Sequence, residues 1–142
     1  MIAHEISTSD ARFRDDFEAC RYALEAFDHR AHVRLAYVYL AELDDEAAVG
    51  RMRDALLAFL DHHGVEASKY HETLTRAWIF AVRHFIERGA GAQSADDFIE
   101  ANPTLLDSCV MLSHYSTELL FSDEARTRFV EPDLTAIPRH PA

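Results

Sequence analysis

Three histidines and one glutamate carry the chemistry that this sequence offers. His29 and His32 lie three residues apart, and His71 is followed directly by Glu72. Side chains three apart share one face of a helix. Imidazole is the commonest protein metal ligand and suits zinc, iron, copper or nickel. A metal ion that does chemistry needs about three protein ligands and an open position. His29, His32 and His71 would supply the three, with zinc or iron as the expected ion. Glu72 would be the fourth ligand or the general base, and a water would complete the sphere. The run His71-Glu72-Thr73-Leu74-Thr75 begins like the HExxH zinc-protease motif. Thr75 stands where that motif needs its second histidine, which excludes the class. Thr75 lies one turn from His71 and is placed to orient its ring. Tyr39 and Tyr70 are positioned to donate hydrogen bonds into such a pocket, and Trp78 to line it. The plainer alternative gives every one of these residues to the core. Each imidazole would then have its nitrogens satisfied, each hydroxyl a partner, and Glu72 a surface pair with Arg76 at i+4.

Helical periodicity decides which of them point inward. At about 100° per residue, Val33, Ala36 and Leu40 fall within about 40° of His29, and His32 lies about 60° to the other side, beside Tyr39 and Leu43. Both histidines are therefore on an apolar stripe, away from Arg30, Arg34 and Glu42. On the helix that carries His71, the residues Thr75, Trp78, Val82 and Phe85 fall within about 40° of it, whereas His84 falls about 140° away and is expected in solvent. Phe80 sits almost opposite His71, so this helix is apolar on two sides. That arrangement points to a homodimer, with the short C-terminal helices as the other possible cover.

The elements that position these residues are helical. All four prolines lie beyond residue 100, and no run alternates apolar and polar residues as a half-buried strand does. A first helix is expected from Ser9 or Asp10 to Phe27, with Phe13, Phe17, Cys20, Leu24 and Phe27 as its stripe. A second runs from Asp28 to Leu43, and a third from Asp45 to Gly64, a natural residue just past a helix end. A fourth runs from Ser68 to Gly89. Ser94 caps a short fifth helix through Glu100. Asn102-Pro103 opens a sixth to about Tyr115, because proline suits the first helical position. Ser122 opens a last short helix to about Val130, and the tail over 131–142 is extended. His62 and His63 are helix-end residues, and His114 is either solvated or covered by the C-terminal segment. Connections this short favour antiparallel neighbours. The expected fold is all-α: one helical domain over 1–142, an up-and-down bundle of about four main helices plus short C-terminal ones.

Composition removes several classes of function. With 25 acidic against 14 basic residues the formal charge is −11, so neither nucleic acid nor an anionic membrane is an expected partner. The two cysteines, Cys20 and Cys109, are too few for a disulfide scaffold and read as buried thiols. Met1 to Asp10 lacks the basic and apolar parts of a signal peptide, and no window approaches a membrane span. A cytoplasmic location is expected. Neither a glycine-rich phosphate loop nor a GxSxG elbow is present.

The segments Phe27-Asp28-His29-Arg30-Ala31-His32, Tyr39-Leu40 and Tyr70-His71-Glu72-Thr73-Leu74-Thr75 together resemble a family of small uncharacterised bacterial all-helical proteins with F-x-H-x-x-H and Y-H-E-T-x-T segments. Ser122 to Arg126 and Phe129 to Asp133 are similar to that family as well, so the resemblance spans about residues 13 to 138. It implies that His29, His32, His71 and Glu72 belong to one unit, and it implies no reaction. The expected function is a metal-dependent enzyme acting on a small molecule. The alternatives are a metal-free protein that binds a small ligand, and a dimeric structural or accessory protein with its histidines satisfied in the core.

Overall fold

A computed structural model describes residues 4–140 as an all-α bundle. Its helices are α1 (Thr8–Glu18), α2 (His29–Leu40), α3 (Asp45–His62), α4 (Glu72–Arg88), α5 (Ala95–Ala101), α6 (Thr117–Leu120) and α7 (Asp123–Thr127). The central helix is α4, which packs on α2, α3 and α7, while α1 crosses α2 and α3. Among the described residues there is no strand beyond a single bridge between His4 and Ala92, and no helix is long and apolar enough to cross a membrane.

Five of the seven expected helices stand where the sequence put them, give or take a turn. Asp28, Asp44 and Ser94 each accept a hydrogen bond from a backbone amide three residues on, and so cap α2, α3 and α5. Gly64 follows the end of α3 with φ +71°, a conformation open to glycine. The start of α4 is later than expected: a 3₁₀ turn occupies Ala67–Lys69, and His71 is the N-cap and not a residue of the first turn.

Two expectations fail for identifiable reasons. The first helix does not continue to Phe27. It starts one residue after Ser7, whose hydroxyl and Asp10's carboxylate form a capping box, and it ends at Glu18. Cys20 then takes φ +60° and the chain turns back through a 3₁₀ turn at Leu24–Ala26. The turn returns Tyr22 and Phe27 to the helix they would have extended. Phe27 packs 4.7 Å from Phe17, Tyr22 packs 5.1 Å from Phe13, and Phe59 of α3 stacks on Phe17 at 4.4 Å. Closing an aromatic cluster outweighs a few more helical residues, because aromatic burial dominates core energetics. The second failure is the helix expected after Asn102. Pro103–Leu106 and Ser108–Ser113 are two 3₁₀ helices, separated when Asp107 caps the second by accepting from the Cys109 amide. They are followed by the short α6, which the sequence did not announce. Cys109 is consequently exposed and Cys20 half-buried, not the buried thiols expected.

The second apolar side of α4 is covered by its own chain. Phe80 is only 4% exposed, with Phe129 edge-on at 5.8 Å and the Arg139 guanidinium 4.0 Å above its ring. The uncovered Phe80 face on which the expected dimer rested does not exist. The tail over 131–140 has no regular helix and lies along this side; residues 141–142 lie outside the described residues. The tail also occupies His114, whose Nδ1 meets the Thr135 carbonyl at 2.7 Å. At its end, His140 stacks on His84 with a 2.9 Å contact between ring nitrogens, so His84 is half-buried and not free in solvent.

Three helices meet at one buried carboxylate. Asp10 is 1% exposed and accepts from the Ser7 amide (3.1 Å), the Ala95 amide (2.8 Å) and Arg34 Nε (3.0 Å). Burial alone would raise its pKa. The two amides and the Arg34 guanidinium outweigh burial and hold the carboxyl below its ordinary value. Arg83 ties a second junction: it donates to the Leu40 and Leu43 carbonyls at the end of α2 and to Asp45 at the start of α3.

Asp10→Asn should therefore cost about 3 kcal/mol at neutral pH, since one partner of a buried ionic cluster is removed. A depressed carboxyl pKa stabilises the fold above the unfolded value and loses that effect as pH falls through the folded one. Urea titrations should thus show a flatter acid limb for Asp10→Asn than for the parent below about pH 4. Parallel acid limbs would contradict this assignment.

Candidate functional site

The N-terminal turn of α4 takes its polar side chains inward. His71 and Glu72 are each 8% exposed, Thr75 4% and Thr73 0%. His71 caps the helix with its own ring: Nδ1 accepts from the Leu74 amide at 3.1 Å. Nε2 lies 2.7 Å from the Leu120 carbonyl. A carbonyl only accepts, so Nε2 carries the proton and both ring nitrogens are spent. Burial is the main influence on this ring and keeps its pKa below the usual histidine value; the Leu120 carbonyl works the other way.

Glu72 is gripped from α3. Arg53 donates from Nε to Oε1 at 2.9 Å and from Nη2 to Oε2 at 2.6 Å, a bidentate pair. The Tyr70 hydroxyl donates to Oε1 at 2.8 Å. Arg53 is the chief reason that the carboxyl sits below its ordinary pKa, with Tyr70 adding to it and burial opposing. These contacts weaken Glu72 as a proton acceptor and engage both of its oxygens. The i+4 partner Arg76 is a minor neighbour at 3.9 Å and pairs mainly with Glu46 at 2.7 Å. Burial, offset in part by Thr75, pushes the Tyr70 phenol up to about 12.

Threonines complete the turn. Thr73 donates to the Arg128 carbonyl at 2.9 Å and accepts from the Val130 amide at 3.1 Å, which fastens the chain just beyond α7 to α4. Thr75 donates to the His71 backbone carbonyl at 2.9 Å, so it braces the backbone of His71 and leaves the ring to Leu74 and Leu120. Tyr70, His71, Glu72, Thr73 and Thr75 thus form one saturated network that joins α3, α4, α6 and the C-terminal segment.

His29 and His32 are placed differently. Both are half-buried on the first turns of α2, with ring centroids 6.5 Å apart. His29 meets the Leu105 carbonyl through Nε2 at 2.9 Å and packs edge-on against Trp78 at 4.6 Å. Since that carbonyl needs a donor, the lone pair of His29 lies on Nδ1, which has no partner among the described residues. His32 makes no side-chain hydrogen bond at all among them, and lies edge-on to Phe27 at 6.1 Å. Part of His32 reaches the surface, yet its ring is crowded. Burial, with His29 as the lesser cause, pulls its pKa down to about 4, and the ring is neutral at physiological pH.

The expected residues therefore fall into three places. His29, His32 and Trp78 come together; Tyr70, His71, Glu72 and Thr75 form the α4 network. Tyr39 is elsewhere: its hydroxyl donates to Glu18 at 2.6 Å, and it lines a polar cleft of about 280 Å³ with Arg14, Glu42 and Arg51. Among the described residues no group of three His, Cys, Asp or Glu side chains is arranged to hold a metal ion. For His29 and His32 to reach one ion at ~2.1 Å their rings would have to turn toward each other, with other ligands coming from outside the chain. Arg53 is the important residue that the sequence did not single out. It stands 19 positions from Glu72 on another helix, whereas the sequence offered only Arg76, one turn away, as a partner.

His71→Ala should lower stability by about 1–3 kcal/mol, because it removes the cap and orphans the Leu120 carbonyl. His71→Asn should recover part of the loss, since asparagine is a good N-cap. Denaturant unfolding of the two variants checks this. Equal losses would mean that the cap contributes nothing.

Compared with protein-family models, with curated proteins and with solved structures, the chain matches none.

Proposed function

We propose that this chain binds a small molecule at the His29–His32 pair and does so without a resident metal. The observation that carries the reading is the contrast between the two groups of histidines. The polar atoms of His71 and Glu72 are engaged within the protein, whereas His29 Nδ1 and the His32 ring nitrogens have no hydrogen-bond partner among the described residues. Two imidazoles between Phe27 and Trp78 offer a hydrogen-bond acceptor and aromatic edges to a small polar molecule. A ligand with an N–H or O–H directed at His29 Nδ1 fits this chemistry best.

The free lone pair of His29 also supports a second reading, a metal-dependent enzyme in which His29 and His32 hold zinc or iron and the remaining positions belong to water and substrate. In that reading Glu72 acts at a distance, through the turn it stabilises.

One experiment separates them. Protein purified without an affinity tag is analysed for metal, then screened by thermal shift against metabolites with and without zinc or iron(II). A ligand that binds only the folded state adds about 2.7 kcal/mol of stability at 100 times its Kd. The proposal expects metabolite-dependent stabilisation that needs no metal and is lost in His32→Ala. Near-stoichiometric metal lost in the same variant would favour the enzyme reading. Stabilisation that survives His32→Ala and His29→Ala would remove the pair from both.

A further inference from the structure

On the far side of α4 a recess of about 260 Å³ lies between that helix and the C-terminal tail. Its floor is Phe80 and Phe129, and Pro132, Ala136 and Ile137 form its walls. Arg139 reaches over it from the tail, with its guanidinium 4.0 Å from the Phe80 ring centre and 5.4 Å from that of Phe129. The guanidinium is therefore held over apolar surface by two cation–π contacts. It is not saturated. A single nitrogen, Nη2, serves both Glu131 oxygens, at 3.1 and 3.3 Å. Nε and Nη1 have no partner among the described residues, and the Arg139 side chain is 44% exposed.

A fixed guanidinium with unused donors above an apolar recess is complementary to one kind of molecule. We propose that this recess binds a compact organic carboxylate, its apolar or aromatic body against Phe129, Pro132 and Ala136 and its carboxylate forked onto Arg139. Glu131 presently occupies part of that fork. Its side chain is 75% exposed and its pair with Arg139 is a surface ion pair of small worth, so an incoming carboxylate displaces it at little cost. The bidentate geometry that an arginine offers a carboxylate is stronger than the shared single nitrogen that Glu131 uses now. The formal charge of −11 repels anions at long range. Repulsion beyond about 8 Å is screened at physiological salt, so the local cation decides at contact. This site is separate from the His29–His32 pair and stands or falls without it.

Titration of the full chain with phenylacetate, followed by ¹H–¹⁵N correlation spectra, tests the proposal. Saturable shifts are expected at Ala136, Ile137 and Arg139. Phenylacetamide, which has the same body and no charge, should bind at least roughly tenfold more weakly. Arg139→Gln should weaken phenylacetate to a similar extent. Glu131→Gln should tighten it, because the competing carboxylate is gone; this arm stands even if Arg139→Gln loosens the tail. Equal binding of acid and amide, no gain with Glu131→Gln, or shifts that track protein concentration as a second copy enters the recess would each overturn the assignment.

Discussion

The first turn of α4 is the constraint on which the rest of the molecule depends. Four adjoining positions, His71, Glu72, Thr73 and Thr75, bury polar side chains almost completely. A buried donor or acceptor left without a partner costs about 1–3 kcal/mol, and a buried charge more. Each must therefore find its partner in a specific place. Arg53 of α3 meets Glu72, Leu120 of α6 meets His71, and Arg128 and Val130 meet Thr73. These demands fix which segments surround α4 and in what register. The C-terminal forty residues have only short helices and little periodic apolar surface of their own. They are placed largely by what this turn requires, and by Tyr115, whose hydroxyl donates to the Val130 carbonyl.

Acidic excess is handled by the same rule. Where carboxylates go inside, an arginine goes with them: Arg34 with Asp10, Arg53 with Glu72, Arg83 with Asp45. Arginine suits this task because its planar fork offers several donors in fixed directions and stays charged. Each pair joins two helices, so each sets a relative position as well as neutralising a charge. The histidines divide along similar lines. His71 is used up by the fold, whereas His29 and His32 retain ring nitrogens without a hydrogen-bond partner among the described residues.

Much of the frame was legible in the sequence, because local chemistry determines it. Asp28, Asp44 and Ser94 cap helices with side chains that bond amides three residues away, and Gly64 ends α3 in a conformation that suits glycine. Periodicity placed Val33, Ala36, Tyr39 and Leu40 inside, but Leu35, Tyr37 and Val38 on the other sides of α2 are buried as well. What was not legible depends on distant partners. The break after Glu18 exists because Phe27 packs better on Phe17 than beyond it. Phe80 is inside because Phe129, some fifty positions on, comes back to cover it. The start of α4 was misplaced by one turn, and that shift changes the role of His71 from an inward ring within the helix to a cap. Tyr39 lay on the correct stripe, but Glu18 and Arg51 draw its hydroxyl to a different cleft.

The central claim is that His71 belongs to the fold and that His29 and His32 are the open pair. Long-range ¹H–¹⁵N spectra of the imidazole nitrogens, recorded near neutral pH while zinc is added, test it most directly. The account predicts that His71 holds a single tautomer with its proton on Nε2 and does not respond to zinc, while any response falls on His29 and His32. A His71 that loses its Nε2 proton to zinc, or that shifts together with His32, would contradict the account and restore the three-histidine centre.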